Sequence, residues 1–105
     1  MKTIGETIKD YCGIPGDDTG FDTVLQGSLS NSVLALSQLN SMYKTKAALG
    51  DAWSSIGVTS IEDPAVSYVC ARARLDFDPP ASTQIMDAIH RFIGETEFRI
   101  QIYTG

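Results

Sequence analysis

The chain has 105 residues, 43% of them hydrophobic and 20% charged, with a net charge of −5 at pH 7. This length predicts one domain, residues 1–105, with a modest core, and the composition excludes a disordered or low-complexity chain. Thirteen acids against eight bases, with no basic run longer than Arg72-Ala73-Arg74, exclude a protein that grips nucleic-acid phosphates, and no stretch approaches the ~20 apolar residues of a membrane span.

The N-terminal MKTIGETIKDY mixes acids into its length and has no apolar run, so it does not read as a secretory signal, and a reducing cytoplasm is the expected setting. Helical spacing of Ile4, Ile8, Tyr11 and Cys12 predicts a first helix over residues 3–12. Gly13, Pro15 and Gly16 end it, and GDDTG reads as a loop.

A second helix is expected over residues 22–42, with Phe21, Leu25, Leu29, Val33, Leu36, Leu39 and Tyr43 as its inward stripe. From Thr23 to Tyr43 there is no charged residue, and Gln26, Ser30, Gln38 and Ser41 occupy the side away from the stripe. A solvated helix would carry Lys and Glu there. Loss of charge with retention of small polar groups is the composition of a surface that another subunit covers. Ser30, Gln38 and Ser41 are therefore candidate subunit-interface residues.

Lys44 to Ser60 is the least periodic segment and reads as a long loop or a short hairpin. A loop of this length in a small domain is commonly a contact segment, with Trp53 as its candidate partner contact.

The third helix, residues 63–78, starts at a strong signal. Asp63 suits the N-cap and Pro64 the first helical position, where its missing N–H is no loss. Val66, Val69, Cys70, Ala73 and Phe77 mark its buried face. Pro79 and Pro80 each disfavour helical geometry in the residue before, so the helix stops there and turns a tight corner. Ser82 or Thr83 then caps a fourth helix over residues 82–100, with Ile85, Ile89, Phe92 and Ile93 facing in. After it, Phe98, Ile100 and Ile102 alternate with Arg99, Gln101 and Tyr103, a strand period; such a segment is stable by pairing with another chain's edge or by continuing the helix, and an extended tail is the expected form. The expected fold class is all-α: four helices, one long connection, one extended tail.

Chemistry is sparse. His90 is the sole histidine and has no Cys or carboxylate at metal-ligand spacing, so neither a zinc site nor any cofactor is expected. Cys12 and Cys70 stand alone and read as buried free thiols, and nothing local activates either for a pairing with His90. Asp17–Asp18 and Asp76–Asp78 read as solvated charges, with Arg72 and Arg74 paired to the latter two. No catalytic residue is assigned, and an enzyme is not expected.

The segment DPAVSYVCARARLDFDPPASTQIMDAIHRFIGETEFRI, residues 63–100, resembles the C-terminal half of tailed-phage head–tail connector proteins, also called adaptor or head-completion proteins. Ala65, Val66, Tyr68, Arg72, Arg74, Leu75 and Phe77 to Pro80 stand at that family's matching positions, followed by Ser82, Thr83, Glu97, Phe98, Arg99 and Ile100. The family pattern usually has an apolar residue in place of Asp76 and Trp in place of Phe98.

The resemblance implies a mostly helical virion protein that forms a ring, a dodecamer, made in the host cytoplasm and docked on the portal after DNA packaging. It would extend the exit channel, through which DNA passes without specific binding, and present a surface to the stopper or tail-completion protein. Arg99, Ile100, Ile102 and Tyr103 are then candidates for docking to the portal or a neighbour. Two other classes remain: a helical DNA-binding regulator with the third and fourth helices as a helix-turn-helix, and a cytosolic adaptor unrelated to phage. The FDPPAS corner and the acidic balance count against the regulator.

Overall fold

A computed structural model describes residues 2–104; Met1 and Gly105, the ends of the expected domain, lie outside the described residues. The described residues form an all-α fold with four helices: α1 (Ile4–Cys12), α2 (Asp22–Leu39), α3 (Pro64–Phe77) and α4 (Thr83–Ile102). A single 3-10 turn, Trp53–Ile56, interrupts the connection between α2 and α3.

Thr3 caps α1: its side chain accepts from the Glu6 N–H while the Glu6 carboxylate accepts from the Thr3 N–H, which satisfies two orphan donors at once. The next N–H groups turn to the long connection, Ile4 donating to the Asp51 carbonyl at 3.0 Å and Gly5 to the Leu49 carbonyl at 2.8 Å. Residue 5 must be glycine for this approach, because a β-carbon there would stand 2.8 Å from the Leu49 oxygen. Lys9 is buried; its Nζ donates to the Asp18 carbonyl and pairs with Asp22 at 2.9 Å, tying α1 to the start of α2.

α3 lies at the centre, packed by α1, α2 and α4. Ala65, Val66, Tyr68, Val69, Cys70, Ala71 and Ala73 are all buried, so this helix is covered on most of its circumference. α2 contributes Leu25, Leu29, Val33 and Leu36, and also the buried hydroxyls of Ser28 and Ser32. The helix ends at Leu39. Phe21 is left 41% exposed, and Tyr43 joins the core from the irregular chain that follows, not from a helical stripe.

The connection between α2 and α3 is part of the core. Tyr43, Trp53, Ile56 and Val58 are buried, and the Trp53 indole N–H donates to Thr7 Oγ1 at 3.0 Å. Trp53 therefore cannot serve as a partner contact; burial within its own chain corrects that reading. Gln26 clamps the same segment to α2, its amide donating to the Ala47 carbonyl and accepting from the Leu49 N–H. Gly57 turns the chain at φ 95°, in the left-handed region, with the Met42 carbonyl where a β-carbon would lie.

The C-terminal segment is helical through Ile102, which overturns the extended tail. Ile100 is fully buried, while Phe98 and Ile102, one turn apart, are each 64% exposed. The spacing that reads as a strand puts Ile100 about 200° around a helix from Phe98, so one residue enters the core and its apolar neighbours leave it. Ile100 is thus a core residue and not a docking one. Asn40 anchors the helix end: its side-chain amide donates to the carbonyls of Ile100 and Tyr103, both at 2.8 Å.

The corner also differs from expectation. Phe77 is half-buried and stacks edge-on against Phe21, with centroids 4.7 Å apart; Pro79 is exposed and Pro80 half-buried. Ile85 is 51% exposed, and Ile89, Phe92 and Ile93 are half-buried. Only Thr96 and Ile100 of α4 are buried, because α1 and α2 already flank α3 and leave α4 one side to cover. Cys70 is buried and Cys12 half-buried, and both are free thiols.

Truncating Ile100 to Ala should destabilise the fold by ~2–5 kcal/mol, the range for buried large-to-small changes, whereas Ile102→Ala should change it by less than ~0.5 kcal/mol; paired denaturant melts decide this. Ser32, wholly buried with no hydrogen-bond partner for its hydroxyl among the described residues, should tolerate Ala with unchanged or higher stability.

Candidate interaction surface

The side chains that hold α3 to its neighbours are polar as well as apolar. The Tyr43 hydroxyl donates to Asp63 Oδ1 at 2.8 Å, and the same oxygen accepts from the Ala65 N–H as the N-cap of α3. Burial first, and this bond second, push the Tyr43 hydroxyl far above its usual range. Tyr68 plays the matching role at α4: its hydroxyl donates to Glu97 at 2.9 Å and accepts from Arg72 at 3.1 Å, whose guanidinium lies 5.5 Å from the Tyr68 ring centre. Arg72 is therefore engaged by Tyr68, whose hydroxyl in turn holds Glu97. Among the described residues neither it nor Arg74 pairs with Asp76 or Asp78, which corrects the expected ion pairs. Burial raises the Cys70 thiol to about 12, so it stays protonated and unreactive at neutral pH.

With these groups engaged internally, three parts of the surface bear on contact with other proteins. The first is the outer side of α2. Val24, Gly27, Ser30, Asn31, Leu34 and Gln38 are exposed on one helical face, with Val24 and Leu34 each nearly half accessible. Ser30 and Gln38 belong to this ridge; Ser41 is exposed in the turn just past it. Gln26 does not, being spent on the long connection. Sequence reasoning found the missing charge but not the two apolar residues, Val24 and Leu34, whose spacing from Gly27 and Asn31 carries the signal.

The second part is a trough formed by two hollows along α4 that share Phe92, with Pro64, Ser67 and Ala71 of α3 on its other side. Its upper end, about 340 Å³, is lined by Tyr11, Ala71, Ile85, Ala88, Ile89 and Phe92, with Gln84 at the rim. Its lower end, about 520 Å³, is more polar and runs from Phe92 past Thr96 and Arg99 to Tyr103, with Glu62 and Ser67 opposite. Val66, Val69, Cys70 and Ala73 lie under α3's packed faces, whereas Ile85, Ile89 and Phe92 line this open trough.

The third part is the end of α4, where Arg99 and Ile102 are exposed and Tyr103 is half-buried with its backbone held by Asn40. The structure brings Arg99, Ile102 and Tyr103 together around the lower trough and sends Ile100 to the other side.

Among the described residues no group of three His, Cys, Asp or Glu side chains is placed to hold a metal ion, and no helix is long and apolar enough to cross a membrane.

Melting temperature should begin to fall near pH 9, the usual thiol value of 9.0 from which Cys70 and Cys12 are raised, and fall more steeply above the usual tyrosine value of 10.0, since a raised folded-state value gives stability that is present below the unfolded value and lost as pH rises toward the folded one. Tyr43→Phe should start lower and lose less on this alkaline limb, the remaining slope belonging to Tyr68, Cys70 and Cys12, all also shifted up. Equal limbs in the two proteins, followed by circular dichroism, would exclude Tyr43 as the cause.

No curated protein and no solved structure matches the chain. A family model described as phage connector protein matches residues 4–105, all four helices included. The four-helix chain thus belongs to the phage connector protein family, structural proteins that join phage head to tail.

Proposed function

We propose that the protein assembles into a ring, a dodecamer, that docks on the portal once DNA is packaged, extends the exit channel and offers its far side to the stopper or tail-completion protein. The role is mechanical, with no catalytic step and no cofactor. The whole chain would act as one domain, made in the host cytoplasm and ending in the virion at the head–tail interface.

The observation that carries this reading is the uncharged α2 ridge. A helix with no charge from Thr23 to Tyr43, exposing Val24 and Leu34, has the composition of a covered subunit surface, not of a solvated one. Ser30, Gln38 and Ser41 would lie in or beside the contact between subunits. Arg99, Ile102 and Tyr103, gathered at the end of α4, are the group proposed to meet the portal. The net charge of −5 suits a channel wall past which DNA slides, since like charge opposes tight binding.

The DNA-binding regulator is disfavoured by burial. α3 is covered by three other helices, and the exposed side of α4 mixes Asp87 and Glu95 with Arg91 and Arg99, so it offers no basic recognition face.

Electron microscopy of the protein mixed with its portal should show an added ring beneath the portal. Ser30→Glu combined with Ser41→Glu should leave the monomer folded and abolish that ring. Arg99→Glu with Ile102→Glu should weaken attachment to the portal without unfolding the chain. Rings that form normally with the α2 pair changed would mean that this helix is merely a polar surface.

A further inference from the structure

We infer that the α2 ridge of one copy lies in the α4 trough of the next, so that the chain joins head to tail through two different surfaces. The inference rests on the ring reading and assigns the pair of surfaces that makes it.

Both members of the contact are present on each chain. The ridge runs from Val24 through Gly27, Asn31 and Leu34 to Gln38, about 21 Å at the helical rise. The part of the trough that takes the ridge runs along α4 from Ile85 to Thr96, about 17 Å, with Phe92 shared by its upper and lower ends, and stops short of Arg99, Ile102 and Tyr103. No residue of α2 lines either end, so ridge and trough lie on separate faces. Two separate complementary patches make a heterologous contact, which closes into a ring when the rotation allows; a two-fold dimer would need one patch complementary to itself.

Charge selects the ridge as the occupant. The upper trough is lined by Tyr11, Ala71, Gln84, Ile85, Ala88, Ile89 and Phe92, none charged, and a charged side chain placed there would lose its hydration without a partner. The outer sides of the other helices all carry charge: Glu6 and Asp10 on α1, Asp76 on α3, Asp87, Arg91, Glu95 and Arg99 on α4. Among the described residues, α2 presents the helical ridge that enters the uncharged upper trough without adding a charge to it. Leu34 supplies an apolar knob, and the small Gly27 and Ser30 let the backbone come close. Ser67 and Thr96, just beyond Phe92, would meet a ridge amide at one end of the contact.

A complementation experiment tests this. Leu34→Glu spoils the ridge and leaves the trough intact; Ala88→Glu spoils the trough and leaves the ridge intact. Both positions are exposed, so circular dichroism should show each variant folded. Sedimentation is followed from micromolar to millimolar protein, alone and with portal rings added. Wild type should assemble, each variant alone should stay monomeric, and equal amounts of the two should give a dimer and nothing larger, because one intact ridge then meets one intact trough. If the single variants assemble like wild type, the ring uses other surfaces and this pairing is wrong. If the mixture stays monomeric, the ridge and the trough are not partners. If wild type itself fails to assemble even on portal, the ring reading falls and the pairing with it.

Discussion

A central helix with neighbours on three sides can exist only if its side chains are small enough for those neighbours to approach and apolar enough to be buried. α3 meets this with Ala65, Cys70, Ala71 and Ala73 between the larger Val66, Tyr68 and Val69. α2, packed against it, buries Ser28 and Ser32 alongside Leu25, Leu29, Val33 and Leu36. Small residues bring backbones together, larger ones fill the space between, and the result is the dense packing on which core stability depends. Every other feature is arranged around this helix. Its first turn is fixed by Asp63 and Tyr43, and the Tyr68 hydroxyl along it holds α4 through Glu97.

The same constraint explains why the long connection is structural. Three helices leave part of the core uncovered, and the segment after α2 supplies Tyr43, Trp53, Ile56 and Val58 to close it. Irregular backbone at a core boundary needs its polar groups satisfied. Gln26, Thr7, Asp63 and the start of α1 provide the partners, through the Ala47 carbonyl, the Leu49 N–H, the Trp53 indole, the Tyr43 hydroxyl and the Asp51 and Leu49 carbonyls.

Charge placement links the fold to its role. Lys9 and Arg72 are held by groups within the chain, and most other charges stand on α1, on the loops and on the outside of α4. The ridge of α2 and the upper trough of α4 have none. Within a family of structural proteins that join head to tail, two uncharged surfaces on different helices have the composition of contacts between protein subunits.

Helix order, the Asp63–Pro64 start, the double-proline stop and the missing charge of α2 were legible because each is a local property: a cap, a missing N–H, a periodicity. The family resemblance rested on the same local signals around the corner, and the family match extends over residues 4–105. Burial was legible only where a helix has one inward side. Trp53 looked like a contact residue because irregular chain carries no period to reveal that it faces in. Phe98, Ile100 and Ile102 looked like a strand because alternation over five residues does not distinguish a short strand from a helix crossing the edge of a core. Ile85 looked buried because an amphipathic stripe shows that a face is apolar, not that this chain has anything left to cover it. The sequence by itself determined the helices and their ends, which depend on neighbours three or four residues away. Tertiary structure alone decided which apolar residues are enclosed, since that depends on how many elements surround each one, as with Ile100 held under Asn40 from 60 residues earlier.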